Sequence, residues 1–192
     1  AVKPFPTCHF THAIADSALA VHHNHGVGPD DIERIRVQIP KIAVNLIAEP
    51  LAKKLRPVSD YDAKFSVQFM VAACFYKGKF GLAELEEDML RDSDVLNLAA
   101  KVDYELDSKT GYPEYYSGGI LVTTKAGNEY VHHERVNRGA GDRALSASEI
   151  EAKYIDNAML VMKRDKAEVI RDAVLSLDEM KVSNFAKILM AQ

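Results

Sequence analysis

The sequence predicts an α+β fold, with helices packed on a mainly antiparallel sheet and a helical C-terminal segment after it. Three observations predict it. An alanine-rich helical pattern is followed by an alternating strand, a long apolar helix precedes further alternating runs that meet at a glycine turn, and beyond residue 137 only helical periods recur.

The elements follow in order. Pro4 and Pro6 fix an extended approach. In "THAIADSALAVHHNHG", Ala13, Val21 and the alanines between them stand at helical spacings, so a helix is expected over residues 12–24, with Thr11 as its cap and Gly26 as its left-handed stop. In "IERIRVQIP", Ile35, Val37 and Ile39 alternate with Arg34, Arg36 and Gln38 until Pro40 closes the run, which is a half-buried strand. "KIAVNLIAEPLAKKLRPV" has no clean period and prolines at 40, 50 and 57, so it reads as a linker. Ser59 and Asp62 form a capping-box pattern ahead of "AKFSVQFMVAACFYKG", the expected core helix, which ends near Gly78. Leu82, Leu85, Met89 and Leu90 then share a helical face, "DVLNLAAKV" adds a short helix, and Val102, Tyr104 and Leu106 alternate. Two strand-like runs flank Ala126, Gly127 and Asn128, a hairpin turn. Gly139 and Gly141 mark a flexible crossing. Ser146 and Glu149 are a capping box, and Ile150, Tyr154, Ala158 and Val161 then lie on one helical face.

Composition narrows the function. With 47% hydrophobic residues in 192, the chain suits one large domain or a small one with an appended segment. Its 28 acids and 24 bases are spread evenly, which leaves no basic stripe for nucleic acid and no acidic tail for a basic partner. Cys8 and Cys74 are far apart, and Cys74 sits in an apolar run, which argues against a disulfide framework and for a reducing compartment. The apolar runs are shorter than a membrane span and no secretory pattern opens the chain, so a soluble, cytoplasmic protein is expected. It begins "AVKPFP" without a methionine, which fits either methionine removal or a piece of a longer protein.

Several motifs carry little chemistry. His22 and His25 have a metal-compatible spacing, but no carboxylate or cysteine nearby in sequence completes a ligand set, and in the last turn of a helix they complement its dipole and face solvent. The glycine pairs at 26/28 and 139/141 lack the strand-glycine-helix context of a phosphate loop. "KTGYPEYYSGG" reads either as a pocket lining or as a loop between strands. In "KPFPTCHFTH", Lys3, Cys8, His9 and His12 gather at the positive end of a helix, and two readings stand side by side: a stiff polar lead-in, or an environment suited to carboxylates.

Four blocks, "KPFPTCHFTHAIADSAL", "DDIERIRVQIP", "AKFSVQFMVAACFYKG" and "RALSASEIEAKY", occur in an order and at spacings that resemble the MmgE/PrpD family, which includes 2-methylcitrate dehydratase, cis-aconitate decarboxylase and iminodisuccinate epimerase. The resemblance covers essentially the whole chain. It implies an enzyme with a large helical domain and a smaller α/β lid, of which residues 1–137 resemble the lid and 138–192 a segment returning to the helical domain. The N-terminal helical half is then missing, and a homodimer is implied for the complete enzyme. Such enzymes act on di- and tricarboxylates by taking a proton beside a carboxylate, and the resemblance implies neither metal nor organic cofactor. Lys3 carries over as carboxylate clamp or proton donor, and His12 as a motif position.

Two departures bear on the reaction. Where decarboxylase-like members have a histidine after Phe-Pro, this chain has Thr7-Cys8-His9, which leaves the acid/base role open among Cys8, His9 and His12. Where those members have a tyrosine after Ile-Pro, it has Lys41-Ile42-Ala43. Both favour dehydration of a 2-methylcitrate-like substrate, or epimerisation, over decarboxylation. The alternative from another class is a carboxylate-binding module without turnover.

Overall fold

The computed structural model describes residues 1–190, which form two compact units, Ala1–Ala144 and Leu145 onward. In the first unit the chain runs through helix α1 (His12–His25), strand β1 (Ile32–Ile39), helices α2 (Leu51–Leu55), α3 (Asp60–Ala63), α4 (Val67–Lys77), α5 (Glu87–Arg91) and α6 (Ser93–Ala99), and strands β2 (Val102–Leu106), β3 (Gly118–Thr124) and β4 (Glu129–Glu134). The sheet order is β2-β1-β3-β4. β1 is parallel to β2 and antiparallel to β3, and β3 is antiparallel to β4, so the sheet is mixed but mainly antiparallel.

The alternation of β1 shows how sequence becomes layer. Ile35 lies between Val102 and Val122, and Val37 between Tyr104 and Ile120. Ile35, Val37 and Ile39 are fully buried, while Arg34 and Gln38 on the opposite face bond Asp103 and Glu105 of β2. A register shift between Ile32 and Arg34 lets Ile32 reach the core as well, although it is three residues from Ile35. Helices α1 and α4 supply the other half of this core: Ile14, Ala18 and Val21 from α1, and every residue from Val67 to Phe75 of α4. Gly26 ends α1 in the left-handed region, and Gly127 turns the β3–β4 hairpin.

Local details depart from expectation. The stretch taken for a linker is helical in pieces: a 3₁₀ turn at Lys41–Ala43, a π turn at Val44–Ala48, and α2. Pro50 separates α2 from the two turns before it, and pieces of three to five residues are too short to show a helical period. Ser59 caps only the single turn of α3, and the core helix has its own cap, the Ser66 hydroxyl accepting from the Phe69 N–H at 3.0 Å. Thr11 does not cap α1. A 3₁₀ turn, His9–Thr11, precedes the helix, and the Thr11 hydroxyl donates to the Cys8 carbonyl at 2.8 Å. His22 does not simply face solvent, because its Nδ1 pairs with the Val27 carbonyl at 2.8 Å. The glycines at 139 and 141 do not loosen the chain: Val2 N–H donates to the Gly139 carbonyl at 3.0 Å and Gly139 N–H to the Arg143 carbonyl at 2.7 Å.

The second unit holds α7 (Ala147–Ala158), α8 (Arg164–Leu175) and α9 (Val182–Met190). The Ser146–Glu149 capping box forms as read from the sequence. Its core is small: Ile155, Ala158 and Ala167, with Tyr154 and Met162 against them. Val161 is exposed because α7 stops at Ala158 before the stripe reaches it, and Ile150, in the first turn of α7, is exposed as well. Among the described residues no helix is long and apolar enough to cross a membrane.

Candidate functional site

The opening segment is folded back on itself around one carbonyl. Thr7 O accepts from Lys3 Nζ at 3.2 Å and from His12 Nε2 at 3.3 Å, so the ammonium and the imidazole converge on one oxygen. The hydroxyls of Thr7 and Thr11 bond each other at 2.8 Å, and Cys8 N–H donates to the Lys64 carbonyl at 2.9 Å, which ties the segment to the end of α3. His12 is the first residue of α1 and fully buried, with Phe5 edge-on to it at 5.6 Å. It is a core residue as well as a motif position. Lys3 is exposed, and Cys8 and His9 are half-buried.

Two later segments complete the cluster. The loop between β2 and β3 carries the Tyr-Gly stretch, and Tyr116 stacks on His9 with ring centres 4.3 Å apart and 12° between planes. Phe10 packs against Tyr112 at 5.4 Å and Tyr116 at 4.9 Å. The stretch is therefore both a loop and a lining. The chain after β4 adds Asn137, whose Nδ2 lies 2.8 Å from His9 Nε2, and Arg138, which bonds Asp16 at 3.1 Å and lies over the Phe5 ring at 5.2 Å.

Electrostatics sorts the members. Burial, then the Lys3 ammonium and the terminal ammonium, hold His9 below the usual imidazole range, which keeps it neutral at pH 7. Burial raises the Cys8 thiol against the opposing pull of the Phe10 N–H, Lys3 and Lys54, so Cys8 is a thiol and a poor nucleophile. Burial also raises Asp16, with Arg138 and Arg143 pulling it down. A cation, a neutral imidazole and a thiol at one rim can receive an anion. The groove beside β2 is a poorer candidate, because its cations are already engaged, Arg34 with Asp103 and Lys101 with the Ile32 carbonyl, and Glu33 and Glu49 stand in the same lining.

The structure brings Lys3, Cys8, His9 and His12 together. His22, His23 and His25 stand elsewhere, occupied by Val27 O, by Gly78 O at 2.8 Å and by the Tyr130 ring at 4.7 Å. His132 and His133 on β4 pair with Glu134 at 3.0 Å and Asp107 at 3.2 Å. Among the described residues no group of three or more His, Cys, Asp or Glu side chains could hold a metal ion. Sequence reasoning missed Asn137, Tyr116 and Arg138. Tyr116 stood in a stretch noted for its aromatics, whereas Asn137 and Arg138 had no local signal.

A mixed sheet backed by α1, with a lysine, a thiol and two histidines gathered at the start of that helix, defines an α/β unit built around a carboxylate-compatible cluster. Residues 5–179 match the MmgE/PrpD C-terminal domain, and the chain belongs to the MmgE/PrpD family. It is 27% identical over 190 residues to cis-aconitate decarboxylase of Mus musculus, an alignment covering 94% of this chain and 37% of that protein. It is likewise 27% identical over 188 residues to cis-aconitate decarboxylase of Homo sapiens, with the same coverage of 94% and 37%. The chain thus spans little more than a third of the length of these relatives.

Proposed function

We propose that this chain is the α/β part of a lyase that takes a proton from carbon beside a carboxylate in a small di- or tricarboxylate. The observation that carries the reading is the Lys3 ammonium, held with His12 on the Thr7 carbonyl, at one rim with a neutral His9. An ammonium in a partly desolvated setting holds a substrate carboxylate by a charge-assisted hydrogen bond. In a dehydration a base removes the adjacent proton, the electron pair of the broken C–H bond forms the new double bond, and hydroxide departs with its bonding pair, protonated to water; in a decarboxylation carbon dioxide leaves instead, and the pair of the broken C–C bond stays on carbon until a proton is delivered there. Lys3 is the clamp, His9 faces the charge that builds during the step, and Cys8 and His12 shape the floor. Family membership and the two relatives named for a decarboxylase support a lyase.

Within that class we read dehydration of a 2-methylcitrate-like substrate, because Thr7-Cys8-His9 and Lys41-Ile42-Ala43 depart from the decarboxylase pattern. The remainder of the enzyme, for which the length of the relatives leaves room and which the family resemblance implies is helical, supplies the opposite wall of the site, and the α/β unit acts as its lid. The test incubates the full-length enzyme with 2-methylcitrate, cis-aconitate and iminodisuccinate, and follows water loss, carbon dioxide release and optical rotation. Turnover of 2-methylcitrate alone is the expected result. Carbon dioxide from cis-aconitate would overturn the dehydratase reading, loss of rotation alone would make the enzyme an epimerase, and binding without turnover would make it a carboxylate-binding module.

A further inference from the structure

Asn137 is 1% exposed and stands between two backbone groups and His9. Its Oδ1 accepts from the Tyr116 N–H at 3.2 Å, while its Nδ2 faces the Arg138 carbonyl at 3.5 Å and His9 Nε2 at 2.8 Å. A backbone N–H only donates and a carbonyl only accepts. Turning the amide over would set N–H against N–H and oxygen against oxygen, so the amide is held one way round. Its NH₂ must then donate to His9, and the acceptor must be a ring nitrogen without a proton.

We propose that Asn137 is a positioning residue that locks His9 as a neutral imidazole protonated at Nδ1, so that His9 serves as a hydrogen-bond donor to negative charge on the substrate and not as its base. A neutral imidazole that gave up its last proton would become imidazolate, so His9 keeps that proton throughout and acts by electrostatic stabilisation alone. Tyr116 works on both sides of the lock: its ring fixes the plane of His9 and its N–H orients Asn137. An imidazolium would set Nε2–H against the amide NH₂, which agrees with the neutral state that burial and the Lys3 ammonium already favour. What His9 does to a substrate rests on the proposed function; the tautomer does not.

The experiment separates the two. Histidine-¹⁵N-labelled protein is studied by multiple-bond ¹H–¹⁵N correlation, with the His9 pattern assigned by its loss in His9→Phe, which keeps a ring against Tyr116. The expected wild-type pattern has a proton on Nδ1 and none on Nε2. In Asn137→Asp a carboxylate replaces the amide donor, so the pattern should invert to Nε2–H and the titration of His9 should move to higher pH. A wild-type His9 protonated at Nε2 overturns the proposal without any variant having to fold, as does an Asn137→Asp pattern that fails to invert. In the full-length enzyme both substitutions should lower kcat, on the order of a hundredfold for loss of such a donor. If the tautomer and its inversion are found but His9→Phe keeps wild-type kcat, the lock stands and the catalytic reading of the cluster falls.

Discussion

At the scale of single residues, Lys3 and His9 make separable predictions. Lys3 is exposed, and the Thr7 carbonyl it bonds keeps the His12 donor when the ammonium is removed. In the full-length enzyme Lys3→Ala should therefore leave thermal melting unchanged while kcat/KM falls about tenfold to a hundredfold, the loss of one charge-assisted hydrogen bond worth roughly 1.5–3 kcal/mol. Unchanged kinetics would reduce the segment to a stiff lead-in. His9 acts on stability through protons. Its folded-state pKa is lowered, chiefly by burial, so the unfolded chain binds protons more readily. Its contribution is fully present above the unfolded value near 6.5 and is lost as pH falls through that value toward the folded one. Melting temperature should drop from pH 7.5 to 5.5, and His9→Phe should flatten part of that slope; equal slopes would count against a buried, neutral His9.

At the scale of elements, the segment after β4 is the informative one. Gly127 and Gly139 both adopt positive φ, 84° and 88°, but a Cβ at 127 would meet nothing within 4 Å, whereas one at 139 would stand 1.9 Å from the Val2 carbonyl oxygen. Gly127→Ala should cost only backbone strain, roughly 1–3 kcal/mol. Gly139→Ala should cost clearly more in denaturant unfolding, because it also expels the N-terminal segment at Val2. Equal costs would mean that the Val2 pairing contributes nothing. This segment also marks where the sequence stops being legible. β1, the hairpin and the Ser146 box are written in local periods and caps and stand where those signals put them, whereas the core helix ends at Gly78 as its signals say but starts from Ser66 and not from Ser59. The helical pieces between residues 41 and 55 are each too short to show a period, and the order of 137–143 comes from contacts to Asp16, His9 and Val2, which no local pattern announces. The same holds for the site. Lys3, Cys8, His9 and His12 are sequence neighbours and could be grouped by eye, whereas Asn137 is 128 residues from His9.

At the scale of the whole molecule, the two units differ in self-sufficiency. The cluster in the first runs from Phe5 to Val122 and draws on α1, α4 and the sheet, whereas that in the second has three fully packed members. Leu160, Val161, Val169, Val174, Leu175 and Val182 of the second are exposed, an apolar surface that water disfavours. Residues 1–144 expressed alone should therefore be monomeric in light scattering and melt cooperatively, while the 192-residue chain should associate. A monodisperse, monomeric full chain would show that its helices need no cover.

The bond between Val2 and Gly139, with Arg143 paired to that same glycine, has a geometric consequence. The first unit starts and finishes at one spot on its surface. A body whose two ends meet can be spliced into a host chain at the expense of a single short gap, with little entropy lost in closing it. By the same token its ends can be joined to each other. A circular permutant with a few glycines from Ala144 back to Ala1 and new termini cut in the exposed hairpin turn at 125–128 should fold to the same sheet.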